Sequence, residues 1–144
     1  MPNVLYTAAA HVTGGRAEGH GTSTDGNLDV QLRMPTEMGG QGDGTNPEQL
    51  FAVGYAACFE GALGVVGRRA KVDMGEVAIE AKVSLSPTGT GGFQLGAELD
   101  VTLPGISDVE QAKTLVREAH EVCPYSNATR GNIEVALTAN GASV

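Results

Sequence analysis

Two kinds of hydrophobic spacing divide the chain. Across Asn27–Met34 the apolar residues Leu28, Val30, Leu32 and Met34 alternate with Asp29, Gln31 and Arg33, the period-2 pattern of a half-buried strand. Residues 3–12 predict an earlier strand, and Gly14-Gly15 and Asp25-Gly26 supply turns, so the N-terminal part reads as an antiparallel meander. Gly39-Gly40-Gln41-Gly42-Asp43-Gly44 follows as a connector, because its glycines do not follow a predicted strand in nucleotide-binding spacing.

From Pro47 to Ala70 the pattern becomes that of a long helix. Thr45 and Glu48 have the spacing of a capping box, and Pro47 suits the first turn. Leu50, Phe51, Val53, Tyr55, Phe59, Leu63, Val65 and Val66 distribute apolar groups all around it, which predicts burial on every side. Gly54, Ala57, Cys58 and Gly61 share one arc, where small residues allow another backbone to come close. A short chain covers such a helix most easily with a second subunit, so a homodimer with a long central buried helix is expected.

Alternation returns at Val77, Ile79, Ala81, Val83 and Leu85, and again from Phe93 to Leu103, with a turn from Pro87 to Gly92 between them. This is a β-hairpin with a longer loop. Ser107 and Glu110 repeat the capping-box spacing before a helix carrying Val109, Ala112, Leu115, Val116, Ala119 and Val122, which Cys123-Pro124 ends. Ile133, Val135 and Leu137 form a final strand. The fold class is α+β: antiparallel sheets packed around two main helices, in one domain spanning 1–144.

Composition narrows the partners. A net charge of -8 argues against a general nucleic-acid or anionic-membrane surface. Aromatic residues make up only 4% and there is no Trp, so the core must be aliphatic and alanine-rich. The segment from Met1 to Tyr6 lacks the basic and apolar regions of a secretory signal, and glycines and Glu60 interrupt the longest apolar run. A cytoplasmic setting is expected, where cysteines paired by oxidation are more often catalytic or redox-sensing than structural.

That places weight on the two cysteines, Cys58 and Cys123. Their separation excludes a CxxC motif or a zinc pair. Three readings remain at this point: two unrelated core thiols, a structural disulfide, or a reactive couple. A reactive thiol must ionise, and a guanidinium is the strongest available aid. Arg16, Arg33, Arg68, Arg69, Arg117 and Arg130 are the candidates, and Arg16 stands apart because it follows Gly14-Gly15 on a loop.

Two motifs then resemble a known family. Thr45-Asn46-Pro47-Glu48-Gln49-Leu50-Phe51-Ala52, continuing through Gly54-Tyr55-Ala56-Ala57-Cys58-Phe59, is similar to the organic hydroperoxide resistance family. So is His120-Glu121-Val122-Cys123-Pro124-Tyr125-Ser126-Asn127-Ala128-Thr129-Arg130-Gly131-Asn132, and so are Leu5-Tyr6-Thr7-Ala8 and Thr13-Gly14-Gly15-Arg16. The related osmotically inducible proteins share the fold. The resemblance implies a thiol peroxidase that reduces organic hydroperoxides, including those of fatty acids, to alcohols. It assigns Cys58 as the attacking thiolate, Cys123 as the resolving thiol that forms a disulfide with it, Arg16 as the group activating Cys58, and Glu48 as the holder of Arg16. It implies no metal and no bound cofactor, with dihydrolipoyl groups of lipoylated partner proteins as reductant.

Helix geometry adds a constraint to those implied roles. On one straight helix Glu48 and Cys58 stand roughly 15 Å apart along the axis. A composite site follows, with Arg16 and Glu48 from one subunit and both cysteines from the other. The sequence departs from the family pattern at Ala17-Glu18-Gly19, which points to a loop one residue longer. Glu60 reads as exposed or paired, His11, His20 and His120 as structural or solvated, and Tyr55 and Tyr125 as packing residues. A redox sensor and a structural dimer are the rival function classes.

Overall fold

The computed structural model describes residues 3–144, in two compact units, 1–50 and 51–144. In the first, β1 (Ala10–Thr13), β2 (Glu18–Ser23) and β3 (Asp29–Arg33) form an antiparallel meander. Gly14 and Gly15 turn β1 into β2 with φ of 78° and 65°, backbone angles that glycine adopts without a Cβ penalty. Asp25 closes the next turn, accepting bonds from the Ser23 hydroxyl and the Asn27 N–H. After a 3-10 turn at Thr36–Met38, Thr45 returns to β3: Arg33 N–H donates to the Thr45 carbonyl and Thr45 N–H to the Gln31 carbonyl. The glycine-rich segment is thus a connector, and its end leads into the next helix.

That helix, α1 (Pro47–Ala70), runs without interruption for 24 residues. Its cap differs from the expected capping box by one position. Asn46, not Thr45, accepts the Gln49 N–H at 2.8 Å, and Pro47 takes the first helical position. The same shift occurs at α2 (Val109–Val122), where Asp108 accepts from Glu110 and Gln111. In both cases the residue after the predicted hydroxyl carries its oxygen one bond further from Cα, and that oxygen takes the free N–H groups instead.

The second unit joins most of α1 to a four-stranded sheet. β4 (Ala78–Pro87) and β5 (Phe93–Thr102) form the long hairpin, in register from Ala78 opposite Thr102 to Pro87 opposite Phe93. β6 (Val135–Ala139) runs parallel to β5, so this sheet is mixed, and β7 (Ala142–Ser143) closes it as an antiparallel edge. A parallel neighbour needs a long crossover, and α2 with the short α3 (Pro124–Thr129) supplies it. Tyr55, Phe59, Leu63 and Val66 of α1 are buried together with Leu99 and Val101 of β5 and Leu115, Val116 and Ala119 of α2.

Among the described residues, α1 is not buried on every side. Its buried residues, Tyr55, Phe59, Ala62, Leu63, Val66 and Gly67, follow one helical stripe. Val53 on another face is 71% exposed, and Ala57 and Gly61 are exposed too. The helix is long and apolar enough to cross a membrane by length and composition alone. Its buried stripe nevertheless makes it the core helix of a soluble fold.

Candidate active site

Cys58 sits midway along α1, and Cys123 at the joint between α2 and α3. Pro124 creates that joint. It disfavours helical backbone at the residue before it and suits the first position of a new helix, and Cys123 is extended, with φ -66° and ψ 121°. The Cys123 N–H closes α2 on the Ala119 carbonyl, and its carbonyl opens α3 by accepting from Asn127. Held by both helices, the fully buried Cys123 thiol donates to the Cys58 sulfur at 3.6 Å. Both thiols are free.

The surroundings of Cys58 pull its ionisation in opposite directions. Burial pushes its thiol above the ordinary cysteine value, because a thiolate loses hydration there, while the nearby Tyr125 backbone acts the other way. The Cys123 sulfur beside Cys58 adds to the upward push.

α3 reaches Cys58 through an aromatic cluster. The Tyr125 ring lies 5.8 Å from Phe51 and 5.7 Å from Tyr55. Gly54 makes room for it: a Cβ there would stand 2.8 Å from the Tyr125 hydroxyl. Behind this cluster the Tyr55 hydroxyl is bonded to Ser126 at 2.8 Å and Thr129 at 3.1 Å. An open cleft of about 930 Å³ borders the cluster, with Phe51, Phe93, Leu95, Tyr125 and Ile133 in its wall.

Arg16 projects from the β1–β2 turn of the first unit. Its two terminal nitrogens donate to the two oxygens of Glu48 at 3.1 and 3.0 Å, the planar fork-to-fork geometry that lysine cannot make. The bonds hold the Glu48 carboxyl below the usual glutamate range and raise Arg16 further. Freed from the helix cap by Asn46, Glu48 is available for this pairing.

Relatives and solved structures match this chain along nearly its full length. A sequence model of the family described as OsmC-like protein matches residues 40–138. An organic hydroperoxide resistance protein of Xanthomonas axonopodis pv. citri is 55% identical over 94% of each chain. Organic hydroperoxide resistance protein OhrB of Bacillus subtilis is 49% identical over 92% of this chain and 96% of its own. A crystal structure of a putative organic hydroperoxide resistance protein from Vibrio cholerae superposes with a TM-score of 0.93 at 46% identity, covering 99% of this chain and 96% of that one. The chain belongs to the organic hydroperoxide resistance family, within the OsmC-like proteins.

In this family member the four residues singled out by sequence form two pairs, each inside one chain: Cys58 with Cys123, and Arg16 with Glu48. Glu48 and Cys58 share the uninterrupted α1, so ten residues put them roughly 15 Å apart along its axis. The remaining candidates have other surroundings. Arg33 donates to the Gly19 and Leu32 carbonyls, and Arg130 to the His120 carbonyl and Asn127. Arg68, Arg69, Arg117, Glu60 and His11 are exposed, and His20 pairs with Asp29. His120 is half-buried, its Nδ1 has no hydrogen-bond partner, and burial lowers its pKa.

Sequence reasoning did not find α3 or the hydroxyl cluster of Tyr55, Ser126 and Thr129. Pro124 was the available signal for α3, and Ser126 and Thr129, three apart, were the signal for a polar face. Among the described residues no group of three or more His, Cys, Asp or Glu is arranged to hold a metal ion.

Proposed function

We propose that this protein removes organic hydroperoxides, those of fatty acids among them, as a cysteine-based peroxidase, with residues 1–144 acting as one reductase domain. The observation that carries the reading is the pair of free thiols 3.6 Å apart, in a chain of this family. The Cys58 thiolate attacks a peroxide oxygen, the O–O bond breaks, and the departing alkoxide takes a proton to leave as alcohol. Cys58 is left as a sulfenic acid. The Cys123 sulfur then attacks the Cys58 sulfur, the S–O bond breaks, and water leaves as the disulfide forms. Exchange with a dihydrolipoyl dithiol on a lipoylated partner returns both thiols and oxidises the lipoyl group.

The site is composite in this proposal: Arg16 and Glu48 come from one subunit and both cysteines from the other. Two observations favour it. The uncovered apolar face of α1 at Val53, Ala57 and Gly61 suits a second copy of the chain in a homodimer. Cys58, pushed up by burial, needs a cation to react near neutral pH, and the Arg16 of its own chain is tied to Glu48 at the far start of α1. Arg16 would stabilise the thiolate and orient the peroxide, and the cleft beside Tyr125 would take the apolar chain. Reducible thiols of this kind suit a cytoplasmic location. Turnover of tert-butyl hydroperoxide with dihydrolipoamide tests the reading. The wild-type protein should turn over and Cys58→Ser should not; an inactive wild-type protein, or an active Cys58→Ser variant, would overturn it.

A further inference from the structure

The resolving step depends on where α3 holds Cys123, and α3 is poorly equipped to hold itself. It has six residues, well below the length at which an isolated helix is stable. Its inward polar groups, Ser126 and Thr129, are both buried, and both meet the hydroxyl of Tyr55. Thr129 also donates to the Ser126 carbonyl, which closes the cluster inside the last turn. Tyr55 itself is fully buried on α1, one helical turn before Cys58.

A phenylalanine would fill the same space beside Phe51, Phe59 and Tyr125, so apolar packing does not account for the hydroxyl. A buried hydroxyl is costly unless bonded, and these three satisfy one another. Their bonds tie the helix that carries Cys58 directly to the helix that starts at Cys123.

We propose that the Tyr55 hydroxyl is a positioning group for disulfide formation: through Ser126 and Thr129 it fixes α3 on α1 and so keeps the Cys123 sulfur in reach of Cys58. The inference rests on the thiol-peroxidase reading above. After the first turnover the Cys58 sulfenic acid has two fates. Attack by Cys123 forms the S–S bond and expels water. Attack on a second hydroperoxide instead transfers another oxygen to Cys58, giving sulfinic acid and a second alcohol. Only the first fate depends on the position of α3, so loosening α3 shifts the partition toward sulfinic acid.

The experiment treats reduced wild-type protein, Tyr55→Phe and Thr129→Val with increasing tert-butyl hydroperoxide and reads disulfide against sulfinic acid by intact mass. This ratio does not depend on how fast Cys58 first reacts, and a loss of stability alone does not move it in protein that remains folded. Tyr55→Phe should reach half sulfinic acid at about tenfold less peroxide than wild type, the scale of effect that small misplacements have on reactions between held groups. Thr129→Val removes one of the two bonds and should move the same way by less; it decides the matter if Tyr55→Phe does not fold. Wild-type partition in the folded variants overturns this inference and leaves the peroxidase reading intact. A wild-type protein that forms neither product overturns that reading instead.

Discussion

At Glu48 two uses of one carboxylate compete. The spacing from Thr45 offered it to a helix cap, but Asn46 takes the cap and Glu48 turns to Arg16. Because Arg16 lowers the Glu48 pKa, the pair's contribution is complete above the ordinary glutamate value of about 4.3 and is lost as pH falls through the lower folded value. Arg16 is partly solvated, so that contribution is small, about 0.5–1 kcal/mol. Glu48→Gln should therefore cost little stability at pH 7, and its urea unfolding curve should converge with that of wild type in acid. Peroxide reduction should suffer far more, with kcat/KM down by about 10- to 100-fold as Arg16 loses its orientation. Equal activity in the variant, measured as initial rate against peroxide concentration, would show that Glu48 does not steer Arg16.

At the scale of elements, legibility followed apolar spacing. β3, β4, β5 and α2 announced themselves because their inward positions carry apolar side chains at the period of the element, and α1 because a long apolar run follows a proline and cap signals. β2, Glu-Gly-His-Gly-Thr-Ser, gave no such signal because its buried positions are Gly19 and Gly21. A Cβ at Gly19 would collide with the Gly15 carbonyl oxygen, so the tight turn that presents Arg16 excludes the side chains by which a strand is recognised. The early strand over residues 3–12 contracted to Ala10–Thr13, and Val4, Leu5 and Tyr6 are exposed. The parallel placement of β6 was invisible for another reason: strand direction depends on the length and path of the crossover, not on alternation within the strand. The candidate site was legible as residue types in motifs. The bonding of Tyr55 across 71 and 74 residues to α3 was not, since nothing in local spacing relates those positions.

At the scale of the whole molecule, the proposed dimer brings the two residue pairs together between copies. Mixing Arg16→Ala with Cys58→Ser subunits, both inactive alone, distinguishes that arrangement from one within a chain. If the site is shared, each mixed dimer holds one site with both defects and one with neither, so random pairing restores about a quarter of wild-type activity. If all four residues act within one chain, nothing is restored. The chemistry itself is tested most directly by a single turnover. Fully reduced protein mixed with one equivalent of a fatty-acid hydroperoxide should yield one alcohol, lose both thiols and contain a Cys58–Cys123 disulfide by peptide mapping. Cys123→Ser should release the same single alcohol and stop at an oxidised Cys58. Intact thiols with the hydroperoxide unconsumed, or alcohol formed by protein lacking Cys58, would contradict the account.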